Sequence, residues 1–219
     1  MRFTAAFLPA VLAAASLPAA QVAADANKGY RTEEGRARVA ASLGAHDREA
    51  RQKPRELIAG IGLKPGMTVA DIGTGVGFML PYLAESVGPK GKVIAEDIFP
   101  DFLAKARETA ATHKLTVEFI HGTERSVRLP AGSTDVALVL DAYHHFDYPA
   151  EMLASIHAGL KPGGRLVIVD FYKRGFRDPD HIRLDDGDVA DEIQKHGFTL
   201  IESKPFTENS QYMAIFRRK

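Results

Sequence analysis

An open, doubly wound α/β sheet is the fold this sequence predicts, and three observations predict it. Residues Thr68 to Phe78 read TVADIGTGVGF, a short β-rich run closed by an acid and then by glycines at every second position: Gly73, Gly75 and Gly77. Glycine at that spacing suits a tight strand-to-helix turn, where missing Cβ atoms let a ligand lie against the backbone. A second apolar run, Lys92 to Asp97, ends in two acids. A third, Asp135 to Leu140, is near-continuously apolar, as a central parallel strand buried on both faces should be.

The totals fit such a domain. At 219 residues the chain is long enough to cover one α/β core, with ordinary hydrophobic (45%) and charged (26%) fractions. A net charge of zero gives no ground for a nucleic-acid partner. There is no cysteine, which excludes disulfides, thiolate metal sites, cysteine nucleophiles and lipid attachment through cysteine.

The chain opens with Met1-Arg2, an alanine-rich apolar run from Phe3 to Leu17, and small residues up to Val22-Ala23-Ala24. That is the layout of a cleavable signal peptide over 1–24, cut after Ala24, and it predicts a periplasmic or secreted protein. The run is shorter than the roughly 20 residues a span needs, and prolines interrupt it, so no anchor is expected after cleavage. Residues 25–53 are polar and charged, with one helix predicted around Thr32 to Leu43. They read as an arm or lid, in which Tyr30, Arg51, Gln52 and Lys53 either close over a ligand or lie on a solvated face.

A helix is predicted from Pro54 to Ile61, with proline suited to its first turn. LKPG (63–66) turns into the first strand. After the glycine turn a helix is expected over Phe78 to Val87, broken by Gly88-Pro89-Lys90-Gly91. Which nucleotide the turn would hold is then the question. A dinucleotide loop reads G-x-G-x-x-G, and here its third glycine is replaced by Phe78.

The observed D-I-G-x-G-x-G instead resembles the first motif of the class I S-adenosylmethionine (SAM)-dependent methyltransferases. EDIFPDFLAKA (96–106) resembles that family's second-strand signature, and LKPGG (160–164) before an apolar strand resembles its third motif. The resemblance covers 54–219. It implies a Rossmann-like sheet of seven strands in the order 3-2-1-4-5-7-6, the last antiparallel. It also implies SAM as cofactor, with Asp71 fixing the turn and the amino-acid end, and Gly73, Gly75 and Gly77 wrapping it. Asp97, rather than Glu96, would take the ribose hydroxyls, followed by Ile98. Where the family carries an aspartate for the adenine amino group, this chain has Thr123, whose hydroxyl accepts more weakly, with the neighbouring Glu124 as the alternative acceptor. That departure predicts a weaker bond, about 1 kcal/mol or somewhat more.

The third strand is predicted over Val117 to His121. Ligands of open α/β sheets bind beyond the carboxyl ends of the strands, so Asp141-Ala142-Tyr143-His144-His145-Phe146 lies where chemistry would occur. Asp141 is expected to touch cofactor. His144 and His145 are the candidate catalytic residues, and the residues leave open a general base, a substrate hydrogen bond, or packing alone. Adjacent loop residues should point apart, leaving one of them on the cavity. No metal site is expected, because no third ligand stands at helical or strand spacing from them.

LKPGG should be a structural turn before a fifth strand over Leu166 to Phe171. The polar loop from Tyr172 to Asp188, with His181, Arg183, Asp185 and Asp186, reads equally as acceptor-binding or as solvated. A helix over Val189 to His196, ended by Gly197, precedes a terminal antiparallel pair, Thr199 to Phe206 and Gln211 to Arg217.

The leading functional expectation is methyl transfer from SAM to a small-molecule acceptor, with neither nucleic acid nor a membrane as partner. A sulfonium methyl is already activated, so the enzyme contributes mainly alignment. Arsenite-like acceptors are disfavoured, since no cysteine exists to hold a metalloid. Export raises the alternative of a non-catalytic SAM- or nucleoside-binding module, because SAM is made in the cytoplasm. A nicotinamide oxidoreductase would share only the sheet.

Overall fold

The computed structural model describes residues 21–208 and 210–219. Most of the leader segment expected over 1–24 therefore lies outside the described residues. A seven-stranded sheet runs in the order β3-β2-β1-β4-β5-β7-β6. Its strands are β1 (Thr68–Ile72), β2 (Lys92–Asp97), β3 (Glu118–His121), β4 (Thr134–Leu140), β5 (Leu160–Phe171), β6 (Phe198–Thr207) and β7 (Gln211–Arg218). The first five pair in parallel, while β7 runs antiparallel to both β5 and β6. Sheet order and direction are those expected from the sequence.

Alternation along the central strands sends side chains into two cores. Val136 and Leu138 of β4, with Val69, Val93 and Val167, pack against Leu57 and Ile61 of α3 (Pro54–Ile61) and Leu80 and Leu83 of α4 (Leu80–Val87). Ala137 and Val139, with Ala70, Ile72 and Ile168, face Leu153 and Ile156 of α6 (Pro149–Gly159) and Val189 and Ile193 of α7 (Asp186–Gln194). Both faces of β4 are thus dry, which explains its apolar sequence. The helix α5 (Pro100–Thr112) joins the first of these cores through Ala106 and Ala110. Proline occupies the first turn of α3, α5 and α6, where its missing N–H loses no bond.

The arm forms a 3-10 turn (Ala26–Tyr30), α1 (Glu33–Leu43) and α2 (Arg48–Gln52). Thr32 caps α1 by accepting the Gly35 N–H at 3.0 Å. No described helix is long and apolar enough to cross a membrane.

Three boundaries depart from the sequence reading. The helix after the glycine turn begins at Leu80 instead of Phe78, because Gly77 is left-handed and the chain is still turning. LKPGG is not a separate turn: Leu160 already pairs with Thr134, and β5 begins there with a register irregularity. The last helix starts at Asp186, two residues after Leu184, and stops at Gln194.

Candidate functional site

A cavity of about 320 Å³ opens at the carboxyl ends of β1, β2 and β4. Its floor is the backbone of Gly73 and Gly75, its walls include Asp97, Ile98, Glu124 and Asp141, and the arm covers it with Asn27, Tyr30, Arg36 and Arg48. His145 stands at one end, beside Phe146 and Asp147.

The glycine turn is built from left-handed residues, with φ of +68°, +57° and +79° at Gly73, Gly75 and Gly77. Gly73 and Gly75 reach the cavity; Gly77 does not. A Cβ on Gly77 would stand 2.8 Å from Leu80 Cδ1 and 3.1 Å from Ala106 Cα, so this glycine is required for packing α4 and α5. Asp71 lies beneath the turn, where its carboxylate accepts the Thr74 hydroxyl at 2.7 Å. It fixes the turn without bordering the cavity.

Asp97 accepts the N–H groups of Gly75 and Phe99, both at 2.9 Å. Each of its oxygens keeps a further lone pair. Its neighbour Glu96 also borders the cavity, but its buried Oε1 has no hydrogen-bond partner and lies where a Cβ on Gly122 would be. Gly122 is therefore the residue that makes room for Glu96. Burial raises all these acids: Asp71 and Asp97 to about 6, Asp141 to about 7 with Asp170 adding to the effect, and Glu96 well above the carboxylate range.

Asp141 has φ +52° and accepts a hydrogen bond from Gln211 on β7. Beside it Arg48 is buried, with its guanidinium 4.4 Å from the Phe78 ring centre and one N–H on the Leu43 carbonyl at 2.8 Å. Burial lowers the Arg48 pKa, while Asp141 and Asp71 oppose that shift.

The two histidines sit in a 3-10 turn after β4, and their rings lie side by side, 4.0 Å apart, instead of pointing apart. His145 borders the cavity; His144 is behind it. His144 Nδ1 is 2.7 Å from Asp170 Oδ1, and its backbone N–H is 3.0 Å from the other oxygen. Burial pulls the His144 pKa down, but the Asp170 carboxylate outweighs it and leaves the group raised. His145 has no such carboxylate, so burial, with His144 and His181 beside it, holds its pKa well below the usual value. Its Nδ1 meets Asn27 Oδ1 at 2.8 Å and its Nε2 meets the Tyr30 hydroxyl at 3.3 Å.

Thr123 does not reach the cavity. Its hydroxyl is engaged in its own turn with Ser126 and Arg125, which leaves Glu124 as the polar group at that end. Tyr143 and Arg183 both bond Glu192 and so pin the loop before α7 to that helix. Of the arm residues named from sequence, Tyr30 covers the cavity. Arg51 is exposed against Asp47, and Gln52 bonds Gln211.

Sequence reasoning missed Asn27, Arg48, Asp170 and Gln211, none of which lies near the glycine motif in the chain. It left His181 open between acceptor binding and solvation and did not bring it to the other histidines: its ring centre is 5.2 Å from that of His144 and 5.3 Å from that of His145. Spacing along one element carried no signal for a residue arriving from another loop.

A methyltransferase domain model matches residues 69–164. The arsenite methyltransferase of Halobacterium salinarum is 28% identical over 173 residues, covering 69% of this chain and 42% of that protein. A ubiquinone/menaquinone biosynthesis C-methyltransferase of Ectopseudomonas mendocina is 30% identical over 116 residues, covering 52% and 45%. The chain spans less than half the length of these relatives. A SAM-dependent methyltransferase structure from Aquifex aeolicus superposes with a TM-score of 0.79 at 26% identity, covering 83% of this chain and 98% of that one.

Proposed function

We propose that this chain, whose fold is that of the class I SAM-dependent methyltransferases, transfers a methyl group to a small-molecule acceptor. SAM is the methyl donor of that fold, and the residues present fit it. The observation that carries the reading is the placement of Gly73, Gly75, Asp97 and Asp141 around one cavity, with His145 at its end.

When bound, SAM supplies an electrophilic methyl on a cationic sulfur. The chain's own contribution is to bind and align. Asp97 would accept the ribose hydroxyls on its remaining lone pairs. The open backbone at Gly73 and Gly75 would hold the amino-acid end, and Glu124 would accept from the adenine. Asp141 places an acid where a cationic ligand gains from it. Tyr30 and the aromatic residues under it exclude water, and alignment with water exclusion is most of what a methyl donor requires.

At the acceptor end, Nε2 of His145 is the proposed hydrogen-bonding group. Asn27 fixes its other nitrogen, and Asp170 fixes His144 behind it. The relatives named above are an arsenite methyltransferase and a C-methyltransferase of ubiquinone/menaquinone biosynthesis. With no cysteine in the chain, an oxygen or carbon acceptor of the second kind suits this site better.

The test is transfer from methyl-labelled SAM into a panel of phenols, quinols and amines. Label in an extractable small product supports the proposal. Tight SAM binding without transfer to any of them would favour the binding module. His145→Ala should lower turnover more than SAM affinity.

We further propose that the protein is exported, on the layout of residues 1–24. Residues 22–24 lie against the site: the Val22 N–H bonds the Asp147 carbonyl at 3.1 Å, and Ala23 is buried. A cut after Ala24 removes these contacts. Mass spectrometry of the native N-terminus should find Asp25, and an intact Met1 would contradict export by cleavage.

A further inference from the structure

We propose that His144, His145 and His181 form a three-imidazole site for a divalent transition metal ion of the zinc class. One ligand nitrogen from each lies within 4.8 Å of those of the other two. Tetrahedral ligands at about 2.0–2.1 Å from zinc stand roughly 3.3 Å from one another, so ring movements of about an ångström close the set.

The hydrogen bonds behind the rings prepare them for such an ion. Asp170 Oδ1 takes the Nδ1 side of His144, which directs the lone pair to Nε2. Asn27 Oδ1 does the same for His145 at 2.8 Å. A carboxylate or amide oxygen behind a ligating imidazole fixes its tautomer and raises its basicity. Among the described residues nothing hydrogen-bonds the His181 ring, which stacks on Phe176 at 4.8 Å and 8°. Packing alone would account for three flat rings together. It does not account for three ring nitrogens converging while two of the rings have their other nitrogen held by an oxygen.

The donor set is chemically consistent. Imidazole suits zinc, copper, nickel and iron, and three protein nitrogens leave a position open, as in catalytic sites. An ion would take the His145 Nε2 lone pair from the Tyr30 hydroxyl, 3.3 Å away, and would replace that nitrogen as the group facing the acceptor. Because His145 also borders the cavity, an ion here would stand at its acceptor end. The inference does not depend on methyl transfer, since metal binding is read directly.

The experiment strips the purified full chain with a chelator and titrates it with Co(II), a spectroscopic stand-in for zinc. The expected result is one equivalent bound, with visible ligand-field bands of low-coordinate cobalt that Zn(II) displaces. H181Q should lower Co(II) affinity by about a hundredfold or more, and D170N by about 10–100-fold, without unfolding as followed by circular dichroism. H181Q lies in a loop outside both cores, so it keeps the test valid if D170N fails to fold. Substoichiometric binding, octahedral-type bands, or equal affinity in H181Q and the parent would overturn the proposal.

Discussion

Asp97 is the single residue on which cofactor affinity should turn. Its two oxygens accept amide N–H groups and still offer lone pairs into the cavity. Asp97→Ala should weaken SAM binding by around 2 kcal/mol, about 30-fold, as read by calorimetry. An unchanged affinity would move the ribose site to Glu96 or elsewhere. The sequence favoured Asp97 on its match to a family signature. The structure adds a reason, because the Glu96 carboxyl packs under Gly122.

The same acids set a pH dependence. Burial raises Asp97 to about 6 and Asp141 to about 7 from the ordinary aspartate value of 3.8. A ligand that donates hydroxyls or carries positive charge binds the ionised forms. Its affinity should therefore fall as pH drops below about 7, by roughly tenfold at pH 5 for one acid titrating near 6. Stability of the ligand-free fold runs the other way. Raised acids favour the folded state below their unfolded values, and that contribution is lost as pH rises through 6 to 7. The rise in Tm on adding S-adenosylhomocysteine should thus be larger at pH 8 than at pH 5.5, and a smaller rise at pH 8 would contradict this assignment. Gly77→Ala acts on the fold alone. A left-handed Cβ costs about 1–2 kcal/mol, and crowding against Ala106 and Leu80 about 1–3 more. Thermal unfolding should show a loss of about 2–5 kcal/mol.

At the scale of elements, the arm completes the site. Tyr30 stacks on Phe99 at 5.7 Å and touches Phe102 edge-on, both from the start of the α5 segment, and Arg36 pairs with Asp101 at 2.6 Å. Asn27 binds both the backbone and the ring of His145. Tyr30→Ala should speed cofactor release about tenfold or more, with little change in stability. Stopped-flow dissociation measures it, and an unchanged rate would reduce the arm to a bystander.

The elements also show what was legible from sequence. Glycine spacing, apolar runs and first-turn prolines each report on their own local backbone, so the strands and most helices were placed within a few residues. The cavity's cover was not legible. Tyr30 was noticed, but a polar arm with a half-apolar helix reads equally as solvated, and only docking on Phe99 decides it. Arg48 was invisible for a related reason: its guanidinium is held by the Leu43 carbonyl and the Phe78 ring, and the second of these contacts is brought by folding from a distant segment. His181 arrives from a loop whose sequence is plainly polar. Thr123 shows the reverse case, since its hydroxyl is engaged by its own turn and Glu124, also named from sequence, borders the cavity instead.

For the whole molecule, the order of the strands locates the chemistry. β1 lies between β2 and β4, and the chain leaves those strands in opposite directions, opening a crevice at their carboxyl ends. Two dry cores hold both faces of the sheet, so the glycine turn, the acids and the histidine turn are fixed relative to one another. The arm, the loop carrying His181 and the histidine turn meet around His145. The end of the cavity lined by the glycine turn and Asp97 follows from the sheet and was foreseeable from motifs, whereas the end at His145 is assembled from three separate segments.

Calorimetric titration of the purified chain with S-adenosylhomocysteine, beside NADH as a control, tests this account most directly. It predicts one site of micromolar or tighter affinity for the nucleoside and no heat with NADH. Absence of heat with S-adenosylhomocysteine, at pH 8 where the acids are ionised, would contradict it.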